Sequence, residues 1–237
     1  IYEFYMLIGI KLLKKCTKAL IISVAALLCH SNVSAQNVWV KEHEPARDLI
    51  TKERLEHELG YLTDSLCQGR ATGTRGNVEA AFWIQRKFEK AGLLKFGDSY
   101  GKRIYLDKGL VGHNVAGMIP GSSKRQSDRY IIIGAHYDHL GILDGKMYPG
   151  ADANASGVVA LTGLADMISM MQKDGRTYSC NMIFVAFDAK EHSLAGSEAF
   201  WRLIEDGSLK DPVSGGRITP DKIDFMVNID QIGTTLS

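Results

Sequence analysis

Residues 131–157 read IIIGAHYDHLGILDGKMYPGADANASG, and the fold turns on this stretch. It opens in an apolar run, Tyr130 to Ile133, of the kind that fills a strand buried on both faces. Gly134 and Ala135 then lead to His136 and Asp138. In an extended backbone, side chains at i and i+2 share a face, so this imidazole and carboxylate are expected to project together past the strand's end. A glycine-rich turn next delivers Asp152, followed by Asn154, Ser156 and Gly157 at the mouth of an apolar helix. Imidazole and carboxylates converging where a parallel strand ends are the makings of a metal site in an α/β protein.

Working outward, the 237 residues are 45% hydrophobic and 23% charged, enough apolar material for one sizeable core. The 28 basic and 27 acidic side chains become 24 and 26 once the four lysines and one glutamate of the first 35 residues are set aside. That balance argues against an electrostatic nucleic-acid binder. The first 35 residues read as an export signal rather than as fold. Lys11, Lys14, Lys15 and Lys18 form a basic segment, Ala19 to Cys29 is apolar, and Val33-Ser34-Ala35 offers a cleavage site. Met6 reads as the start. The apolar run is shorter than the roughly 20 residues that span a bilayer, so no integral membrane segment is expected after cleavage. The expectation is a secreted or periplasmic protein with one domain over 36–237. Cys67 and Cys180 read as buried small hydrophobes, with a single disulfide between them left open.

Apolar residues recur at helical spacing from Leu49 to Leu66, and again from Asn77 to Ala91, where Gly92 closes the run. GRATGTRG (69–76) reads as a turn-rich break between them. Strands are expected at 114–119, 130–133, 181–187 and 225–229, and helices at 157–171 and 194–204. Strands alternating with helices predict an α/β fold with a mostly parallel central sheet and helices on both faces. The acidic candidates follow strand ends: Asp138, Glu191 and Asp230, with Asp152 in a loop between.

Four motifs arrive in order: HYDHLG (136–141), GADANASG (150–157), FDAKEHSLAGSEAF (187–200) and NIDQIG (228–233). Together they resemble the M28 family of zinc aminopeptidases and related exopeptidases, from about Leu49 onward. The resemblance implies the zinc-exopeptidase (phosphorylase/hydrolase-like) fold, two zinc ions and peptide substrates. It further implies that His136 and Asp230 bind one zinc, that Asp152 bridges, that Glu191 binds the other, and that Asp138 orients the His136 ring. A serine hydrolase or a P-loop nucleotide hydrolase is not expected, because neither a G-x-S-x-G elbow nor a GK[ST] loop occurs.

Two departures shape the functional expectation. The family has two consecutive acids where this chain has Lys190-Glu191, so a lysine occupies the general-base position. A charged ammonium only donates hydrogen bonds and cannot accept a proton. The family's last ligand, a histidine beyond the Asp230 strand, does not occur before Ser237, which reads as a domain incomplete at its carboxyl end. That leaves His136, Asp152 and Asp230 for one zinc, and only Asp152 and Glu191 for the other. The reading is an exported zinc aminopeptidase weakened by Lys190. A non-catalytic peptide- or partner-binding relative with one metal, and a glutaminyl cyclase-like enzyme, are the competing readings. His139 and His192 are expected to be solvated loop residues, and Asn154 to shape the helix start rather than to be glycosylated.

Overall fold

The computed structural model describes residues 49–122 and 128–233. The export signal expected at 1–35, with Met6 as its start, lies outside the described residues, and among those described no helix is long and apolar enough to cross a membrane. In chain order the elements are α1 (Lys52–Thr63), α2 (Arg75–Ala91), β1 (Leu94–Lys95), β2 (Gly101–Tyr105), β3 (Val111–Ile119), β4 (Tyr130–His136), β5 (Gly141–Leu143), β6 (Lys146–Tyr148), α3 (Ser156–Lys173), β7 (Asn181–Phe187), α4 (Ala195–Glu205) and β8 (Ile223–Asn228).

Local chemistry accounts for the helix ends. The Thr51 hydroxyl accepts from the Arg54 amide at 3.2 Å and the Thr74 hydroxyl from the Asn77 amide at 3.3 Å, so each threonine satisfies an otherwise orphaned N–H. α2 stops at Gly92, whose φ of 83° is the left-handed conformation that only glycine adopts cheaply.

The central sheet has six strands in the order β1-β3-β7-β4-β8, with β2 also pairing β3. Parallel pairing is confined to β7-β4-β8; β1 and β2 run antiparallel to β3, and β3 runs antiparallel to β7. The sheet expected to be mostly parallel is therefore mixed. The cause is connection length, since the short β2-β3 link can only join antiparallel neighbours while α3 and α4 are long enough to cross over.

Every residue of β4 and of β7 is buried. On β4, Ile131, Ile133 and Ala135 pack with α2 and α3, whereas Tyr130 and Ile132 pack with Phe200 and Ile204 of α4 on the other face. Fully burying each such isoleucine contributes about 1.5–3 kcal/mol. The two helical faces follow from chain direction. β4 to β7 steps one way across the sheet and β7 to β8 steps back past β4, and right-handed crossovers then put α3 and α4 on opposite faces. A crevice opens at that reversal, beyond the carboxyl ends of β4 and β7. The β5-β6 hairpin stands beside it. Its turn, Asp144-Gly145, has φ of 51° and 75°, the turn that an Asp-Gly pair favours. At the far edge, β8 leaves Phe225 and Met226 exposed.

Candidate functional site

β4 sits between β7 and β8, so its last residue, His136, is flanked from both sides. His136 pairs with Phe187 in the β7 ladder, and Gly134 pairs with Asn228 in the β8 ladder. Continuing the second ladder by two residues brings Asp230 alongside His136. The outcome is a 3.3 Å separation between His136 Nε2 and Asp230 Oδ1. His136 is buried, and its Nδ1 lies 3.1 Å from the main-chain oxygen of Asp138. A proton held on Nδ1 by that carbonyl leaves Nε2 as the lone-pair nitrogen. Nε2 is buried with no hydrogen-bond partner among the described residues.

Asp138 carries a different task from the expected one. Its carboxylate lies 3.8 Å from the His136 ring but accepts both the Lys190 and the Glu191 amides at 3.0 Å. The ring is steadied by Asp138's main chain, and the side chain clamps the segment after β7. Burial pushes the Asp138 carboxyl up, while those two amides work in the opposite direction.

Asp152 is half-buried in the turn before α3, and its Oδ1 accepts the Gly233 amide at 2.8 Å. Glu191 is paired with the Lys190 ammonium at 3.0 Å, both side chains about one-third exposed. Among the described residues no group of three or more His, Cys, Asp or Glu side chains is arranged to hold a metal ion. The expected trio is thus only partly assembled: His136 and Asp230 meet, whereas the Gly233 amide occupies the Asp152 oxygen. Glu191, read as a ligand of a second zinc together with Asp152, lies in an ion pair with the adjacent Lys190 ammonium. The His136-Asp230 pair nonetheless fits zinc. Nitrogen and oxygen ligands about 2.0–2.2 Å from a tetrahedral ion lie about 3.4 Å from each other. The 3.3 Å between Nε2 and Oδ1 matches that edge.

The residues holding these side chains were largely missed in the sequence. Asn154, expected only to start a helix, is fully buried. Its Nδ2 donates to Ile229 O at 2.8 Å and His136 O at 3.3 Å, and its Oδ1 accepts from Gly157 N at 3.1 Å and Gln231 N at 3.2 Å. It joins the ends of β4 and β8 to the start of α3. Asp188, also fully buried, accepts from Thr72 Oγ1, Asn77 Nδ2, His113 N and Ala189 N at 2.8–2.9 Å. The Tyr137 hydroxyl lies 3.1 Å from it and donates to His113 O at 2.7 Å. The available signal was an acid directly ending an all-apolar strand, Phe187-Asp188. His192 is exposed as expected, but His139 is not a freely solvated residue. Its ring lies against Gly150, where an added Cβ would be 2.5 Å from Cδ2, and its Nδ1 is buried without a partner among the described residues. Burial first, and then Arg70, hold its pKa below the usual histidine value. Cys67 and Cys180 are both buried and are not joined in a disulfide, in line with the reading as buried small hydrophobes.

Comparison with known proteins adds a second line of observation. The model of peptidase family M28 matches residues 114–236, just over half of the chain. LapA of Legionella pneumophila superimposes with a TM-score of 0.58 at 20% identity, covering 86% of this chain and 49% of LapA. A leucine aminopeptidase precursor from Bacteroides thetaiotaomicron gives 0.54 at 20%, covering 78% and 63%. Macrostomum lignano glutaminyl cyclase gives 0.62 at 18%, covering 86% and 60%. At these identities the likeness is one of fold. The chain spans about half the length of LapA. A search of curated proteins returns no match.

Proposed function

The chain belongs to peptidase family M28, and on that premise we propose that it is an exported zinc-dependent aminopeptidase whose turnover is weakened by Lys190. The observation that carries the zinc assignment is the buried, unpartnered His136 Nε2 lying 3.3 Å from Asp230 Oδ1. His136 and Asp230 would hold one ion, joined by Asp152 in exchange for the Gly233 amide, and Glu191 would serve a second. When bound, zinc supplies Lewis acidity toward a peptide carbonyl.

The chain's own residues set the limits of that chemistry. Asp138 holds the Lys190-Glu191 backbone against the crevice through two amides. The Lys190 ammonium then stands where a proton acceptor is needed. While charged it has three donors and no lone pair, so it cannot take a proton from an attacking water. It also neutralises Glu191, which weakens that carboxylate as a ligand. General-base assistance is worth about 10²–10⁴ in rate. Loss of that factor, rather than loss of the fold, is the proposed handicap.

The test is a zinc titration of the purified full-length protein together with aminoacyl-nitroanilide hydrolysis by wild type and Lys190→Glu. The expectation is bound zinc, slow wild-type turnover and a rise of about 10²-fold or more in kcat/KM for Lys190→Glu. Absence of zinc binding would sink the metal assignment. The Lys190-Glu191 ion pair favours a second reading, a peptide-binding relative without catalysis, and zinc binding with no turnover by either protein would select it.

A further inference from the structure

Arg70 combines two unfavourable features. Its side chain is fully buried, yet among the described residues it forms no ion pair. Burying a charge is costly unless it is compensated. Burial pushes the guanidinium down to about 10, which still leaves it charged at neutral pH. Its backbone also adopts a left-handed φ of 55°, in a run with Gln68 at 47° and Gly69 at 68°. For a residue with a side chain that conformation is disfavoured, because Cβ crowds the backbone. Such costs persist where the surroundings over-determine them, often beside functional sites.

What these features achieve is contact with four main-chain oxygens on three separate segments. Nε donates to Tyr137 O at 2.7 Å, Nη1 to Leu62 O at 2.5 Å and Pro149 O at 2.8 Å, and Nη2 to Gly150 O at 2.8 Å. Tyr137 is the residue between His136 and Asp138, and Gly150 lies two residues before Asp152. One guanidinium therefore ties the loop carrying the imidazole to the loop carrying Asp152, and ties both to the end of α1. Its planar fork suits this where a lysine would not, because four donors in fixed directions set the spacing of the two loops.

We propose that Arg70 is a positioning residue for the zinc site, setting the distance between the His136-Asp138 turn and the Asp152 turn. This rests on the zinc reading above. The test uses full-length wild type, Arg70→Lys and Arg70→Met, with melting curves, zinc affinity by competition with a chelating dye, and visible spectra after cobalt substitution. The expectation is that Arg70→Lys still melts cooperatively, binds zinc about 10–100-fold more weakly, as loss of outer-shell support does, and gives an altered cobalt spectrum. Wild-type affinity and spectrum in a folded variant would overturn the proposal while leaving the zinc reading intact. Failure of the wild type to bind zinc would overturn both. Should neither variant fold, the wild-type Arg70 Nε–H resonance decides, since it is expected to shift when zinc is added. An unmoved resonance in zinc-saturated protein would overturn the positioning role.

Discussion

Asp188 and Asn154 brace opposite flanks of His136, and they do so with different chemistry. Asp188, at the end of β7, is a carboxylate that gathers donors from Thr72, Asn77, His113 and Ala189. Asn154 uses its two donors and two acceptors on main-chain groups of His136, Ile229, Gly157 and Gln231. A carboxylate accepts only, so it suits a place where many N–H and O–H groups converge; an amide suits one where carbonyls and N–H groups alternate. The β7 flank therefore depends on residues far earlier in the chain, from 72 to 113, and the β8 flank is closed by loops adjoining the site itself. The flank with the longer-range bracing is the one that carries Lys190 in place of an acceptor. The flank braced by Asn154 carries the His136-Asp230 pair. A firmly held scaffold and a complete set of reacting groups are thus separate properties of this molecule.

The contrast can be broken most sharply at Asp188. Asp188→Ala strands buried amides and is expected to lower unfolding free energy by about 3–5 kcal/mol in urea titrations. A loss below about 1 kcal/mol would remove the distinction between the flanks, since that is the scale of an ordinary hydrogen bond. Asn154→Ala forfeits a helix-start hydrogen bond and three others, with an expected loss of about 2 kcal/mol. If it proves the more damaging of the two, the β8 flank is the main support. The smallest effect is expected at the other end of β4, where Tyr130 donates to Asp211 at 2.6 Å. Burial drives the Asp211 carboxyl up, but the Tyr130 hydroxyl and the Ser214 and Val213 amides outweigh it and hold it below its ordinary value. A depressed folded pKa stabilises the fold above the unfolded value, about 3.9, and that contribution is lost as pH falls through the folded value. The stability gap between wild type and Asp211→Asn is therefore expected to be widest near pH 7 and to shrink below about pH 4. A gap independent of pH would show that this carboxylate acts only as a neutral hydrogen-bond partner.

Much of the fold was legible because its signals are local. The apolar runs 130–133 and 181–187 could only be buried strands, and α2 announces its end with Gly92. The antiparallel strands β1 and β2 escaped notice because they are short and mostly not buried, and the Asp144-Gly145 hairpin because its flanking strands have three residues each. The site was legible in part. His136 and Asp230 stood out as residue types that hold metals at strand ends, whereas the glycine- and threonine-rich GRATGTRG resembled punctuation and nothing local marked Arg70 and Thr72 as anchors.

By itself the sequence determined the α/β class, the family and the positions of His136, Asp138, Asp152, Glu191 and Asp230, because strand ends and motif spacing are properties of short segments. Only the tertiary structure decided which of these side chains meet. Ladder register brings Asp230 to His136, and the Asp138 carboxylate is drawn away to the Lys190 and Glu191 amides. Lys190 claims Glu191, and Arg70 crosses from another segment to join two loops. Apart from the adjacent Lys190-Glu191 pair, those outcomes depend on competition among donors and acceptors far apart in the chain, as in the Asp138–Lys190 separation of 52 and the Arg70–Gly150 separation of 80, and one-dimensional spacing does not encode that competition.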